Sequence, residues 1–309
     1  MTQPAIPAKA ADWARGHVGR HAAWALPADL SGTRAWRMSS PQGLIDIRVT
    51  RTDEDFGREV YAHRNAIRCL GPSHGPRLLA SEPRLRSLLT LQPRGWRVDT
   101  ADLQFQPRVH EDAGRLLRIL HDSVSQVPEA NSRATRATVL YAQRIQTVAD
   151  HLATVAPPEQ AFAVHRSASL VLRYVRDLRP AFCHGTFGPA SWTWQNQSQT
   201  LSFTEFGRSE VMAAVIDLAR PARAWAEQPK LRDWFLKGYG RPLSWQESLV
   251  LRHWSVLAAG EDLHYAIHQR NKEGIPPAAS ALRRAIDHTG FTLDEDSLTP
   301  IDAVERGWQ

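Results

Sequence analysis

The chain has 309 residues, 42% hydrophobic and 23% charged, with 18 Gly and 20 Pro, a composition that suits two lobes around a buried core and excludes collagen-like, low-complexity and wholly disordered classes. Its formal charge of +6 comes from arginines scattered among acids, as at Arg108, Arg115, Arg118, Arg133 and Arg136, without a basic tail or zinc-finger spacing, so nucleic acid is not an expected partner. No run approaches 18 apolar residues and the first thirty residues lack a secretory pattern, so no membrane partner is expected and the protein is read as cytoplasmic, with Cys69 and Cys183 as reduced thiols.

Residues 1–12 are Ala/Pro-rich and read as a loose arm, followed by a short helix over AADWARGHVG that ends at Gly19. From Ala23 to Thr50 the pattern is strand-like, and Ser39-Ser40-Pro41-Gln42-Gly43 predicts a turn between two antiparallel strands. Asp53 is the expected N-cap of a helix in which Phe56, Val60, His63 and Ile67 share a face. GPSHGP reads as a loop, PRLLAS and RSLLTLQP as strands. From Val109 onward the apolar spacing is helical, through EDAGRLLRILHDSV, RATVLYAQRIQTVADHLATV and HRSASLVLRYVRDL, the last broken by Pro180. AFCHGTFGPASWTWQNQSQTLSFTEFGRS is non-helical. Helices are then expected over VMAAVIDLARPARAWA, KLRDWFLKGYG and SWQESLVLRHWSVLAAGEDLHYAIHQRN.

One count restricts the chemistry. Only Lys9, Lys230, Lys237 and Lys272 are lysines among 38 basic residues, so positions 10–229 hold none. The arginine excess itself is what a GC-rich genome writes.

A loop set among helices is where a rigid scaffold displays working residues. Here CHGTFGPASW followed by LSFTEFG resembles the aminoglycoside phosphotransferase family, the small-molecule branch of the protein-kinase-like fold. In that family a His-x-Asp is followed five positions after the Asp by an Asn, and then by a hairpin ending in Asp-Phe. Further likenesses follow in order: LIDIRVTRTDEDFGREVYAHR to the third strand and helix, GPSHGPRLLA to the next loop and strand, LLTLQPRGW to the hinge, AGRLLRILH to the first large-lobe helix, IDLARP with a structural Asp217, and FLKGYGRPL to a helix end.

The resemblance implies an α+β, bilobal protein-kinase-like fold, with a small antiparallel β-rich N-lobe over residues 1–92 and a mainly helical C-lobe over 93–309 that carries the loop segment 182–208. It also implies ATP and Mg²⁺ as cofactors in an active member. Phosphoryl transfer needs a strand lysine fixed by a helix glutamate, a loop Asp that orients the nucleophile, and an Asn and an Asp that hold the metal. Here those positions are Arg48, Glu59, Thr186, Ser191 and Glu205. Arg48 and Glu59 keep an eleven-residue spacing and can form an ion pair, but the forked guanidinium is not a conservative exchange at a phosphate grip. Thr186 is not a base at neutral pH, Ser191 is a poorer magnesium ligand than Asn, and Glu205 keeps the charge on a longer arm as the one candidate metal ligand. No Asp or Glu lies between Leu178 and Thr204.

The expectation is therefore a pseudokinase-like protein that binds a small molecule or peptide in the interlobe cleft, in bacterial secondary metabolism and with a partner enzyme, its phosphoryl transfer lost. The alternative is an active phosphotransferase with an atypical site, or the fold turned to other chemistry with His184, Glu205 and Arg48. His184 is read as bracing the degenerate catalytic loop and Cys183 as an inert buried thiol. Trp192 and Trp194 are read as facing opposite sides, one in the core and one towards the cleft. His110, His121 and His151 are read as surface or core residues.

Overall fold

The computed structural model describes residues 6–19, 24–28, 34–100, 102–127, 129–269 and 271–289. The small lobe is a five-stranded antiparallel sheet in the order β1-β2-β3-β5-β4, made of β1 (Trp24–Ala28), β2 (Arg34–Ser40), β3 (Gly43–Val49), β4 (Arg77–Glu82) and β5 (Ser87–Leu91). Alternation divides its residues between two faces. Trp36, Met38, Ile45, Ile47 and Leu89 form one buried cluster with Ala10 and Ala14 of α1 (Ala8–Val18). The other face carries Arg37 opposite Asp46, Arg48 opposite Leu88, and Thr90 opposite Asp46.

Two expectations for this half change. The helix begins at Ala8, inside the stretch read as a loose arm, because Ala10, Ala11 and Ala14 are buried; residues 1–5 lie outside the described residues. The N-cap of α2 (Asp53–Tyr61) is Thr52, not Asp53: the Thr52 hydroxyl accepts the Asp55 amide at 3.0 Å. Asp53 instead stands in the first helical turn, where acids complement the helix dipole. After α2 the helix widens into a π turn at Ala62–Ala66 and closes with the short α3 (Ile67–Cys69).

The large lobe contains α4 (Pro107–Asp122), α5 (Ala130–Leu152), α6 (Pro158–Tyr174), α7 (Ala219–Glu227), α8 (Pro229–Tyr239), α9 (Trp245–His268) and α10 (Ile275–Asp287). Four strands between α6 and α7, with one strand from before α4, build two small sheets. β7 (Pro180–Cys183) pairs antiparallel with β10 (Glu210–Ala213). β6 (Trp96–Arg97), β8 (Trp192–Gln195) and β9 (Thr200–Phe203) form a three-stranded sheet in that order. The helix expected over VMAAVIDLARPARAWA starts only at Ala219. Its first residues form β10 and then a 3₁₀ turn, Ala214–Leu218. Every residue from Val211 to Ala219 is buried, so the apolar run has no periodicity that separates strand from helix. Helix α10, which sequence reasoning missed, has Leu282 buried in the large core.

Helices α4 and α8 touch through glycines. A Cβ at Gly238 would sit 1.9 Å from the Glu111 carbonyl oxygen, and one at Gly114 would sit 2.1 Å from that of Phe235. Helix propensity alone favours Gly238→Ala by about 1 kcal/mol. Backbone cannot retreat as a flexible side chain can, so overpacking of about 1–3 kcal/mol wins, and we expect the variant to melt at a lower temperature than wild type. A higher melting temperature would mean that the helices separate freely.

Candidate functional site

The site is built on a buried carboxylate. Asp217, in the turn after β10, accepts the His184 amide at 2.6 Å and the Gly185 amide at 2.8 Å, just where the chain leaves β7. His121 of α4 reaches the same carboxylate with Nε2 at 3.1 Å and meets the Tyr239 hydroxyl with Nδ1 at 2.8 Å. Burial alone would push the Asp217 pKa up; the hydrogen bonds and charge interactions from His121 and His184 hold it below its ordinary value. An ionised carboxylate only accepts, so Nε2 is the donating nitrogen of His121. Gly185 has φ +82°, and a Cβ there would lie 2.1 Å from the Arg208 carbonyl oxygen, which leaves glycine as the residue that fits.

The ligand atoms of His121, Cys183 and Asp217 lie within 4.8 Å of one another, a separation that a metal ion could bridge. Their bonds account for the cluster without one. The Cys183 thiol donates to the Ala213 carbonyl at 3.4 Å, and burial pushes its pKa well up, away from the thiolate a metal needs. His121 is therefore part of the loop anchor rather than an isolated core residue.

His184 is fully buried. Its Nε2 donates to the Thr204 carbonyl at 2.7 Å and its Nδ1 accepts the Thr186 amide at 3.3 Å. Burial pulls its pKa down to about 4, with Asp217 and the Thr204 carbonyl opposing. The Thr186 hydroxyl donates to the Glu205 carbonyl at 3.2 Å. Ser191 is also buried. Its hydroxyl lies 3.0 Å from the Gly188 carbonyl and 3.2 Å from that of Thr186, and its own carbonyl accepts the Thr204 amide at 2.9 Å. Both hydroxyls at the degenerate loop positions thus turn inward onto backbone.

Glu205 follows β9 in a left-handed conformation, φ +66°. Burial raises its carboxyl pKa, while Arg48, Arg97 and Arg37 lower it and Asp99 raises it, so these groups converge on the cleft between the lobes. On the small-lobe side Arg48 Nε lies 3.0 Å from Glu59 Oε1, an ion pair rather than a well-aligned hydrogen bond, with both side chains buried. Burial raises the Glu59 pKa, offset by Arg48 and Arg58. Beside it, Arg37 grips Asp46 with two bonds of 2.7 and 2.8 Å. Sequence reasoning missed this second pair, although the strand alternation that places Arg48 also places Asp46 on its face.

Hydrogen bonds between the loop at Ser73–His74 and β9 help to join the lobes. His74 Nδ1 lies 2.7 Å from the Leu201 carbonyl, the Phe203 amide donates to the His74 carbonyl at 3.0 Å, and the Ser202 hydroxyl donates to the Ser73 carbonyl at 2.9 Å. Phe206 packs against His184 at 4.5 Å and His63 of the π turn at 6.4 Å, centroid to centroid. The expectation for the tryptophans is corrected. Residues two apart in a strand share a face, and Trp192 and Trp194 are both buried, beside His110 and Arg108 respectively.

Thr186 also borders a cavity of about 780 Å³ whose wall includes Arg144 and His151 of α5, Arg208, Arg220 of α7, and Glu261 and His264 of α9. Sequence reasoning did not find it. The signal was present in EDLHYAIH, where Glu261, His264, Tyr265 and His268 recur at helical spacing on one face, but the facing α5 residues lie more than a hundred positions away.

Two lobes joined around such a loop define the protein-kinase-like fold. No protein-family model matches the sequence and no curated protein sequence matches it significantly. Solved structures match over nearly the whole chain. A choline/ethanolamine kinase family protein from Mesorhizobium loti is similar with a TM-score of 0.66 and 16% identity, over 92% of this chain and 96% of that one. The GDP complex of an aminoglycoside 2'-phosphotransferase-IIIa variant gives 0.62 and 10%, over 88% and 93%. Spectinomycin phosphotransferase with ADP and spectinomycin gives 0.58 and 12%, over 93% and 98%. The chain has the fold of aminoglycoside phosphotransferases and choline/ethanolamine kinases, and at these identities the likeness is one of fold.

Burial sets the acid stability of this arrangement. It pulls the histidine pKa down to about 3 at His63, about 4 at His184 and about 4 at His253. An unfolded chain takes up these protons near pH 6.5, well before the folded chain does, so stability is lost as pH falls below that point. Three groups give a slope of up to about 4 kcal/mol per pH unit, reduced by Glu59 and Glu205, whose raised pKa values act in the opposite sense. Urea midpoints measured from pH 7.5 to 5 should fall accordingly, and His253→Gln should remove about a third of the histidine-driven slope. A midpoint independent of pH over that range would contradict the burial of these rings.

Proposed function

We propose that the chain is a pseudokinase-like protein, a binding protein on the protein-kinase-like fold in which ATP-dependent phosphoryl transfer has been lost. The observation that carries this reading is the inward commitment of the loop: the Thr186 hydroxyl donates to the Glu205 carbonyl, and the Ser191 hydroxyl is held among the Gly188 and Thr186 backbone atoms. Phosphoryl transfer on this fold depends on a positioned base and on metal ligands that face the triphosphate. Thr186 cannot act as that base, and losing a positioned base costs about 10²- to 10⁴-fold in rate.

The residues fit ATP and Mg²⁺ poorly. Arg48, the cation at the phosphate-grip position, is buried against Glu59, and the sheet face beside it is occupied by the Arg37–Asp46 pair. Glu205 shares its surroundings with Asp99 and with Arg48, Arg97 and Arg37, guanidiniums that compete with a cation for its carboxylate, whereas Mg²⁺ asks for near-octahedral oxygen ligation. The ligand in this reading is a small molecule or peptide, held in the interlobe cleft in partnership with another enzyme. The reading places the protein in the cytoplasm and in bacterial secondary metabolism, by analogy with relatives named for aminoglycosides and spectinomycin. Among the described residues no helix is long and apolar enough to cross a membrane.

Thermal melts and ATP-turnover assays with and without Mg²⁺ test the proposal. A nucleotide at 100 times its dissociation constant would add about 2.7 kcal/mol. We expect no Mg²⁺-dependent shift and no turnover. The combined variant Arg48→Lys, Thr186→Asp, Ser191→Asn and Glu205→Asp should gain turnover if the register of the site is right. Wild-type turnover abolished by Glu205→Ala would refute the pseudokinase reading.

A further inference from the structure

The cavity beside Thr186 is walled by two helix faces and two loop arginines. Arg144, Val148 and His151 recur at i, i+4 and i+7 on α5; Glu261, His264 and His268 recur at i, i+3 and i+7 on α9; Arg208 and Arg220 close the wall. Its two carboxylates are already engaged. Glu261, with its side chain only 18% exposed, accepts from the Tyr141 hydroxyl at 2.6 Å and from Arg144 at 2.6 Å, with Arg208 at 3.8 Å. Asp262 is held by Arg223 at 2.8 Å and Arg220 at 3.8 Å. Four guanidiniums therefore face two carboxylates, and the side chains of Arg144 and Arg208 remain 57% and 43% exposed.

We propose that this cavity binds an anionic ligand, one bearing carboxylate or phosphate groups, through the exposed guanidiniums of Arg144 and Arg208 and the histidines beside them. The inference deepens the reading of the chain as a binding protein and rests on it. A polyamine would meet no unpaired carboxylate among the lining residues and would have to displace an arginine to reach one. An anion meets guanidinium donors whose planar fork matches carboxylate and phosphate. The volume, about 780 Å³, suits a molecule of drug size or a few peptide residues.

The histidines make the charge adjustable. His264 stands 4.8 Å from His151 and 6.1 Å from His268, centroid to centroid. It faces His151 and Arg144 on α5, Glu261, Tyr265 and His268 along its own helix, and Arg208, Arg220 and Asp262 around the cavity. Burial, then His151 and His268, lower its pKa, with Glu261 opposing. A bound anion would offset that repulsion and draw protons onto the cluster, so binding tightens as pH falls.

Fluorescence anisotropy of a fluorescein-labelled hexaglutamate peptide with the full chain at low salt, at pH 6 and pH 8, tests this. We expect binding that is about tenfold tighter at pH 6, and at least about tenfold weaker in Arg144→Glu/Arg208→Glu, a loss readable as a shift in Kd. Arg144→Gln should weaken it less. Arg232→Glu, an exposed charge on α8, should leave it unchanged, and melting curves show which variants fold. His151→Gln/His264→Gln/His268→Gln should bind at pH 8 and lose the pH dependence. Displacement by inorganic tripolyphosphate but not tricarballylate identifies a phosphate ligand, and the reverse a carboxylate. Absence of binding by either anion at pH 6, equal binding by the arginine variants, or tight binding of kanamycin or hexalysine that Arg144→Glu strengthens would each overturn the proposal. ATP turnover would refute the pseudokinase reading and leave this result standing, whereas anion failure without turnover would refute this inference alone.

Discussion

The buried carboxylate of Asp217 is the constraint from which the rest of the site follows. It receives two successive amides, His184 and Gly185, at the point where β7 becomes loop, and a third donor from His121 on α4. Removing one partner from so enclosed a set would leave polar groups unpaired, at a cost of about 1–3 kcal/mol each. With the start of the loop fixed, His184 can reach the Thr204 carbonyl across the β8–β9 hairpin and bring Phe206 against its ring. Phe206 then meets His63, one turn beyond Glu59, and Glu59 meets Arg48. A continuous path of packed groups thus runs from the large-lobe core to the sheet of the small lobe.

That path separates framework from chemistry. The groups that only have to hold shape, namely His184, Asp217, Glu59 and Phe206, are buried and held by hydrogen bonds, an ion pair or ring packing. At Thr186 and Ser191 the side chains support the same shape, since their hydroxyls tie loop backbone to loop backbone. A hydroxyl has a single proton to donate and is already committed here. On the proposed reading the loop has traded reactive groups facing the cleft for internal bonds, which explains how the fold persists after the chemistry is given up.

Much of this was legible in the sequence, for physical reasons that differ by region. The β2–β3 turn shows in its Ser-Ser-Pro-Gln-Gly signal, and the Arg48–Glu59 ion pair in its eleven-residue spacing. The strand in VMAA was not legible, because a run buried on every side has neither a period of 2 nor of 3.6. Helix α10 opens with two prolines in its first turn, where proline is tolerated, so the segment carries no conventional start signal. The cavity depends on α5 meeting α9, a tertiary fact that no local pattern encodes. The tryptophan pair needed only correct use of strand alternation.

Codon usage can explain why nearly every cation is arginine, but it does not explain where the charges are balanced. In the roof of the cleft the match is one to one: Arg48 with Glu59 and Arg37 with Asp46. Around the cavity Arg144, Arg208, Arg220 and Arg223 share Glu261 and Asp262. A guanidinium stays charged across the working pH range, so that surplus is permanent, and the neighbouring histidines can only add to it. The same residue type therefore closes one site and leaves the other open to an anion, with the difference set by the number of carboxylates each element supplies.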